Sequence, residues 1–364
     1  MPQWTREQER ALQEVARWLE TAGGPQIFRL FGYAGTGKST LARHVAEHVE
    51  GLVAFAAFTG KAALVMRSKG CENARTIHSL IYRASDTETE EPTFELNDES
   101  DAARARLIVV DECSMVDEEL GRDLLSFGKK VLVLGDPAQL PPVKGGGFFT
   151  EAEPDVMLTE VHRQAADNPI VRLSMIVREG GRIEQGVYGE TRVLRRDALD
   201  PALITGADQV LVGMNKTRRA YNGRLRELRG FSGAQPQSGE KLVCLRNNRK
   251  KGLLNGALFT VKSAGALRRG KIRMLVAPEE GEGKFLRVAV IPQFFESVEG
   301  EIPYALRKDS DEFDYGYALT VHKAQGSQWD NVALFDESFA FREHRARWLY
   351  TGVTRAAQRL TLVM

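Results

Sequence analysis

Short apolar runs recur along the first part of the chain, and several of them end at a glycine or an acid. Ile27-Phe28-Arg29-Leu30-Phe31, Leu52-Val53-Ala54-Phe55-Ala56, Leu107-Ile108-Val109-Val110 and Val131-Leu132-Val133-Leu134 are the clearest. Runs this short and this apolar predict strands buried on both faces. Between them, apolar positions recur at helical spacing. Thr5 to Leu19 predicts an amphipathic helix with Thr5 as its N-cap, Leu41 to Val49 a second helix, and a third begins near Lys61. Strands of this kind alternating with helices predict a parallel sheet covered on both sides, with ligands bound beyond the carboxyl ends of its strands. Asp111-Glu112 and Gly135-Asp136 stand at two such ends.

The same pattern returns later, with strands predicted at Val210 to Gly213, Val332 to Phe335 and Leu360 to Val363 and a helix over Lys216 to Arg229. Between about Arg246 and Asp314 it changes. Ala257 to Val261, Ile272 to Val276 and Leu286 to Ile291 read as short strands separated by Gly-rich turns, a small β-rich insert in a second domain. Arg83 to Arg106 reads as a shorter insert in the first. From composition it is either a hairpin with Thr93 to Leu96 as one arm or a disordered acidic loop. We set the domains at 1–152, with the insert at about 83–106, and 153–364, with the insert at about 246–314.

Composition changes this picture little. A chain of 364 residues accommodates two ordinary domains, and 43% apolar residues can build a core in each. No run approaches the ~20 apolar residues that span a bilayer, and the polar N-terminus is unlike a secretory signal. Cys71, Cys113 and Cys244 lack metal spacing and read as reduced thiols of a cytoplasmic protein. The net charge of +1 neither demands nor excludes nucleic acid, but it hides segregation. Ala84 to Ala103 holds many acids and no base, whereas Arg246 to Lys251 and Arg268 to Lys271 are basic clusters.

The chemistry starts at Gly32-Tyr33-Ala34-Gly35-Thr36-Gly37-Lys38-Ser39, which fits the phosphate-cradling P-loop and lies between a predicted strand and a predicted helix. Glycines let backbone N–H groups turn toward an anion, and the helix N-terminus adds its positive dipole end. Lys38 would reach the β- and γ-phosphates, and Ser39 would hold Mg²⁺. Asp111 would share the metal, and Glu112 would orient and deprotonate the attacking water. In Gly135 to Pro142, Gln139 either senses the γ-phosphate or only caps a Pro-rich turn. Transition-state charge calls for arginine. Arg163 and Arg355 are candidates that spacing alone does not select from 50 Lys and Arg residues.

The motifs, taken in order, resemble the B group of superfamily 1 helicases, the RecD and Dda type, nearly from end to end. Thr5 to Gln8 resembles the Q motif, Gly32 to Thr40 motif I, Phe58 to Ala63 motif Ia, and Arg75 to Leu80 the next DNA-contacting motif. Val110 to Met115 resembles motif II, Gly135 to Val143 motif III, Val212 to Lys216 with Tyr221-Asn222 motif IV, Tyr317 to Gln328 motif V, and Tyr350 to Ala356 motif VI.

The resemblance implies an α/β protein of two RecA-like domains binding ATP and Mg²⁺. Gln8 would read the adenine, and Gly35, Thr36, Gly37, Lys38, Ser39 and Thr40 would hold the nucleotide. Asp111, Glu112 and Gln139 would join them from the first domain, Arg163 and Arg355 from the second. Thr59, Lys61, Thr76 and His78, with Thr320, His322, Lys323 and Ser327, match positions that touch single-stranded DNA; hydroxyls, His and Lys suit backbone phosphates. The acidic insert takes the place of the family's strand-splitting pin. Its one aromatic residue, Phe94, either stacks on a base pair at the tip or tucks against the domain. The β-rich insert resembles the family's SH3-like domain. On this resemblance the large N-terminal domain of RecD proteins is not expected here, and the 364 residues are fewer than in Dda-like relatives.

The implied activity is 5′-to-3′ unwinding of DNA by a cytoplasmic monomer that acts on single strands and junctions. Partners would be a single-strand-binding protein or replication, repair and recombination proteins. The alternatives are a translocase that remodels protein–DNA complexes with little unwinding, or the motor subunit of a nuclease or recombination complex.

Overall fold

The structure is a computed structural model that describes residues 4–84, 94–141, 147–160, 167–248, 251–279, 284–296 and 302–364. The chain forms two compact units, Met1–Arg182 with Ala346–Thr354, and Ile183–Arg345 with Arg355–Met364.

The run at Leu107 explains how the first unit is built. Ile108 and Val110 pack on one face of the sheet with Phe31, Ala56, Val131 and Val133. Leu107 and Val109 pack on the other with Leu30, Leu41, Leu132 and Leu134. Because successive side chains point to opposite faces, one short apolar run fills two cores at once. Each buried Leu, Val or Ile stabilises the fold by roughly 1.5–3 kcal/mol.

The strands of this unit are β1 (Ile27–Gly32), β2 (Val53–Ala57), β3 (Arg75–Thr76), β4 (Tyr82–Ala84), β5 (Phe94–Leu96), β6 (Leu107–Asp111), β7 (Lys130–Gly135) and β8 (Val156–Leu158). Six of them form one sheet, ordered β3-β2-β6-β7-β1-β8, and every pairing in it is parallel. The carboxyl ends therefore share one edge, which carries Asp111 and Asp136. The helices α1 (Arg6–Glu20), α2 (Lys38–Glu47) and α3 (Gly60–Ser68) start within about a residue of the predicted positions, except that α2 begins at Lys38 rather than Leu41. Thr5 caps α1 in a capping box with Gln8. The insert is a two-stranded antiparallel ribbon, β4 against β5, with Ala84 opposite Phe94. Arg83 and Glu95 pair across it at 2.7 Å. Residues 85–93, including any tip, lie outside the described residues.

The second unit repeats the plan. Its strands are β9 (Gly186–Tyr188), β10 (Thr191–Leu194), β11 (Gln209–Val212), β12 (Lys241–Cys244), β13 (Leu258–Ala264), β14 (Ile272–Pro278), β15 (Leu286–Val290), β16 (Phe313–Tyr315), β17 (Ala318–Thr320), β18 (Trp329–Phe335) and β19 (Ala356–Val363). One sheet runs β17-β11-β18-β19-β10-β9, parallel except for β9. The other, β15-β14-β13-β12-β16, is antiparallel; it contains the three strands predicted in the β-rich region and adds β12, which precedes that region, and β16 at its end. Both contribute to one core, in which Val210 and Val212 join Leu242, Phe259, Val261 and Phe313. Among the described residues no helix is long and apolar enough to cross a membrane. Cys71, Cys113 and Cys244 are free, buried thiols.

The helix Asn215–Leu228 is tied to the antiparallel sheet by a buried ion pair. Arg226 meets Glu240 at 2.5 and 3.1 Å and lies 4.0 Å over the Tyr315 ring, and Glu240 is fully buried. Removing one partner strands the other's charge in the interior. Arg226→Ala should cost about 3–5 kcal/mol, measured by urea unfolding followed by circular dichroism.

Candidate functional site

At the edge of the first sheet, β1 ends at Gly32 and the chain turns into α2 through residues 33–37. Gly35 and Gly37 make the turn possible, with φ of 81° and 84°. Gly37 is the N-cap of α2 and supplies no side-chain acceptor. The first N–H groups of that helix are thus presented without a side-chain cap, as an anion site requires. Thr36 is buried and donates to the Tyr33 carbonyl at 2.9 Å. Lys38 folds back over the loop, its Nζ donating to the carbonyls of Gly32 at 2.5 Å and Tyr33 at 3.0 Å. Thr40 is exposed on the first turn.

Ser39 and Asp111 are brought together. The hydroxyl donates to Asp111 Oδ2 at 3.0 Å, and Oδ1 accepts from the Glu112 N–H at 2.8 Å. A hydroxyl and one carboxylate beside a phosphate loop are hard oxygen donors of the kind Mg²⁺ takes when phosphates supply the rest. Among the described residues no group of three or more His, Cys, Asp or Glu could hold a metal by itself.

Glu112 has φ 52° and ψ 45°, in the left-handed region, a backbone strain of about 1–3 kcal/mol of the sort that gathers at functional sites. Gln139 is buried, and its Oε1 has no hydrogen-bond partner among the described residues. Asp136, three residues before it, accepts from the Ala138 N–H at 3.0 Å and from the Tyr350 hydroxyl at 2.7 Å. Burial pushes the Cys113 thiol well above its usual range, and the Asp111 and Glu112 charges add to this, so the thiol stays neutral beside the carboxylates.

Gln8 is placed differently from an adenine reader with a free amide. It is 2% exposed; its Oε1 accepts from the Thr5 N–H at 3.0 Å, and its Nε2 donates to the Thr36 carbonyl at 3.0 Å. The capping box and the P-loop engage both ends of the amide.

The segments matched to DNA contacts are largely built into the fold. In the first unit, Thr59 caps α3 by accepting from the Ala62 N–H at 3.1 Å, and Lys61 is buried at 2% exposure. Thr76 caps the short helix Ile77–Ile81 by accepting from the Ser79 N–H at 3.2 Å. His78 is exposed, with its ring 5.6 Å from that of Tyr82, and Phe94 is 64% exposed.

In the second unit, the Thr320 hydroxyl accepts from the Lys323 N–H at 3.3 Å, and Lys323 Nζ donates to Asn255 Oδ1 at 2.6 Å. Burial lowers the Lys323 pKa. Burial also lowers that of His322, and the charge of His344 adds to this. Ser327 is buried, and its carbonyl accepts from Arg355 Nη1 at 3.1 Å; Arg355 is itself 5% exposed. Arg163 lies outside the described residues.

The AAA domain family matches residues 3–195, more than half of the chain, and the UvrD-like helicase C-terminal domain matches residues 315–363. The ATP-dependent RecD2 DNA helicase of Deinococcus radiodurans is 29% identical over 380 residues, covering 95% of this chain and 48% of that protein. The ATP-dependent DNA helicase dda of Enterobacteria phage T4 is 33% identical over 165 residues, covering 41% and 37%. The chain belongs to the superfamily 1B helicase family of RecD and Dda type. The crystal structure of Bacteroides Pif1 bound to ssDNA shares its fold, with a TM-score of 0.59, 17% identity, and coverage of 99% of this chain and 92% of that one. The chain spans about half or less of the length of the curated relatives named here.

Within superfamily 1B terms, Asp136 of motif III and Tyr350 and Thr351 of motif VI join the site, although sequence reasoning assigned them no role. Tyr350 also accepts from the Ala34 N–H at 3.0 Å, and Thr351 Oγ1 accepts from the Leu140 N–H at 3.0 Å. Their only signal was membership of motif stretches far apart in sequence.

The first glycine of the loop is fixed by packing. A Cβ at Gly32 would lie 2.7 Å from Thr36 Oγ1, 2.8 Å from Leu158 Cβ and 3.0 Å from the Leu158 carbonyl. Gly32→Ala should therefore cost about 1–3 kcal/mol in thermal unfolding through overpacking.

Proposed function

We propose that this chain is the motor of an ATP-dependent DNA helicase that moves 5′-to-3′ along single-stranded DNA. The observation that carries the reading is the 3.0 Å contact of Ser39 with Asp111 beside an uncapped P-loop helix. It supports Ser39 and Asp111 as the Mg²⁺ ligands, with Lys38 and the N–H groups of Gly35 to Thr40 on the phosphates of ATP. ATP and Mg²⁺ supply the transferable phosphoryl group and charge neutralisation. Glu112, held in its strained conformation next to Asp111, would take the proton of the attacking water, and Gln139 would sense the γ-phosphate. Arg163 and Arg355 are the proposed arginine fingers. Thr59, Lys61, Thr76, His78, Thr320, His322, Lys323 and Ser327 are proposed along the DNA strand. For the buried members, chiefly Lys61, Thr76 and Ser327, backbone groups or local rearrangement would make the contact.

In the same reading the chain consists of two RecA-like domains, set from the sequence near 1–152 and 153–364, although β8 pairs with β1 and carries the first compact unit on to Arg182. The β4–β5 ribbon is the strand-separating pin, and the five-stranded sheet the SH3-like insert. Two curated relatives carry the name of ATP-dependent DNA helicase, and a fold relative is bound to ssDNA in its crystal structure. Both support single-stranded DNA as the partner; junctions, a cytoplasmic monomer, and a single-strand-binding protein or replication and recombination proteins as further partners belong to the same proposal. The insert of about 83–106 is short and acidic, which favours as a second reading a translocase that unwinds little.

Lys38→Ala should abolish ATP turnover. Glu112→Gln should still bind nucleotide but hydrolyse it about 10²–10⁴-fold more slowly, the usual loss with a general base. Strand displacement should favour a 5′-tailed over a 3′-tailed duplex, and a 3′ preference would overturn the polarity. Phe94→Ala should reduce unwinding while DNA-stimulated ATP hydrolysis persists; undiminished unwinding would remove Phe94 from the pin. ATPase activity without unwinding in the unaltered chain would favour the translocase.

A further inference from the structure

The Tyr350 hydroxyl joins three segments distant in sequence. It accepts from the Ala34 N–H of the P-loop and donates to Asp136 Oδ2, at 3.0 and 2.7 Å. Both side chains are buried, Tyr350 at 1% and Asp136 at 3% exposure. Burial, reinforced by the Asp136 charge, pushes the phenol well above its usual range, so it remains the donor to Asp136 at neutral pH. Asp136 Oδ1 meanwhile holds the Ala138 N–H, and the Asp136 carbonyl holds the Gln139 N–H at 3.1 Å. The carboxylate thus shapes the turn that carries Gln139. One residue beyond Tyr350, Thr351 Oγ1 accepts from the Leu140 N–H and donates to the Arg347 carbonyl at 2.7 Å. Two consecutive hydroxyls therefore grip the turn from Asp136 to Leu140 at both ends, on a segment that continues directly in sequence to Arg355.

Ala34 contributes a backbone N–H to a loop whose N–H groups cradle phosphate. Here that donor is oriented by a neutral acceptor, which can be exchanged for an anion without stranding a charge. Asp136 differs: as a buried carboxylate it needs its donors, and loss of one leaves it costly and free to reorient. The Tyr350 bridge thus couples the conformation of the loop to that of the turn.

We infer that Tyr350 is a positioning residue for nucleotide turnover, its hydroxyl linking the Ala34 amide to the Asp136 carboxylate so that a change in the P-loop moves the Gln139 turn and the segment leading to Arg355. The inference rests on the ATPase reading above.

Tyr350→Phe keeps the buried ring and removes only the hydroxyl. Compared with the unaltered chain, its kcat for DNA-stimulated ATP hydrolysis should fall about tenfold, while its Kd for ADP stays within about twofold. Asp136→Asn should behave alike. The double variant should lose no more than the more damaged single variant, because both remove one link. A kcat within about twofold of the unaltered chain would overturn the inference. So would single effects that multiply in the double variant, or a loss of ADP binding equal to the loss of kcat. Should Asp136→Asn fail to fold, the kcat-against-Kd split in Tyr350→Phe decides alone. An unaltered chain that neither binds nor hydrolyses nucleotide would overturn the ATPase reading instead.

Discussion

Parallel pairing of β1, β2, β6 and β7 is the constraint on which the candidate site depends. Because every strand of that sheet runs the same way, the chain must leave each one at the same edge. The P-loop after β1, Asp111-Glu112 at the end of β6 and Asp136 after β7 are gathered there without any direct tie in sequence. The 3.0 Å contact of Ser39 with Asp111 is a consequence of register, since β7 sits between their two strands and pairs with both. The two apolar cores that clamp the sheet hold that register. A one-residue slip would exchange the faces of every side chain on a strand.

Much of this was legible in the sequence, because apolar runs buried on both faces and glycines forced to positive φ leave few alternatives. The strands predicted from Leu52, Leu107, Val131 and Val332 form where expected, lengthened or shifted by one to three residues. What was not legible is how each polar group divides its hydrogen bonds between the fold and a ligand. Thr59 and Thr76 sit in motifs matched to DNA, yet their hydroxyls cap helices, a role that favours the same residue type. Gln8 occupies a motif position matched to adenine, but the capping box that its spacing from Thr5 permits turns its amide inward. Lys61 sits in a motif matched to DNA and is buried in the first turn of α3. Tyr350 could not be assigned at all: its partners lie more than 200 residues away, and only tertiary structure connects them.

The second unit meets the same problem with other means. Its largely parallel sheet is joined by an antiparallel one, and the two share one hydrophobic core. The buried Arg226–Glu240 pair adds direction rather than much net stability, since desolvation offsets most of the attraction. It fixes which way the helix from Asn215 to Leu228 faces the insert. Arg355 lies buried in this unit against the Ser327 carbonyl, so its guanidinium is oriented by the backbone of the segment that also carries Thr320, His322 and Lys323.

The three thiols have a practical consequence for following this chain at work. Cys71, Cys113 and Cys244 are all buried, and burial raises each thiol, that of Cys244 up to about 12. Since the thiolate is the reactive form, maleimide dyes at neutral pH should pass the native cysteines by. A cysteine introduced at an exposed position can then carry a fluorophore without a cysteine-free background, leaving the packing around Asp111 and β12 as it is.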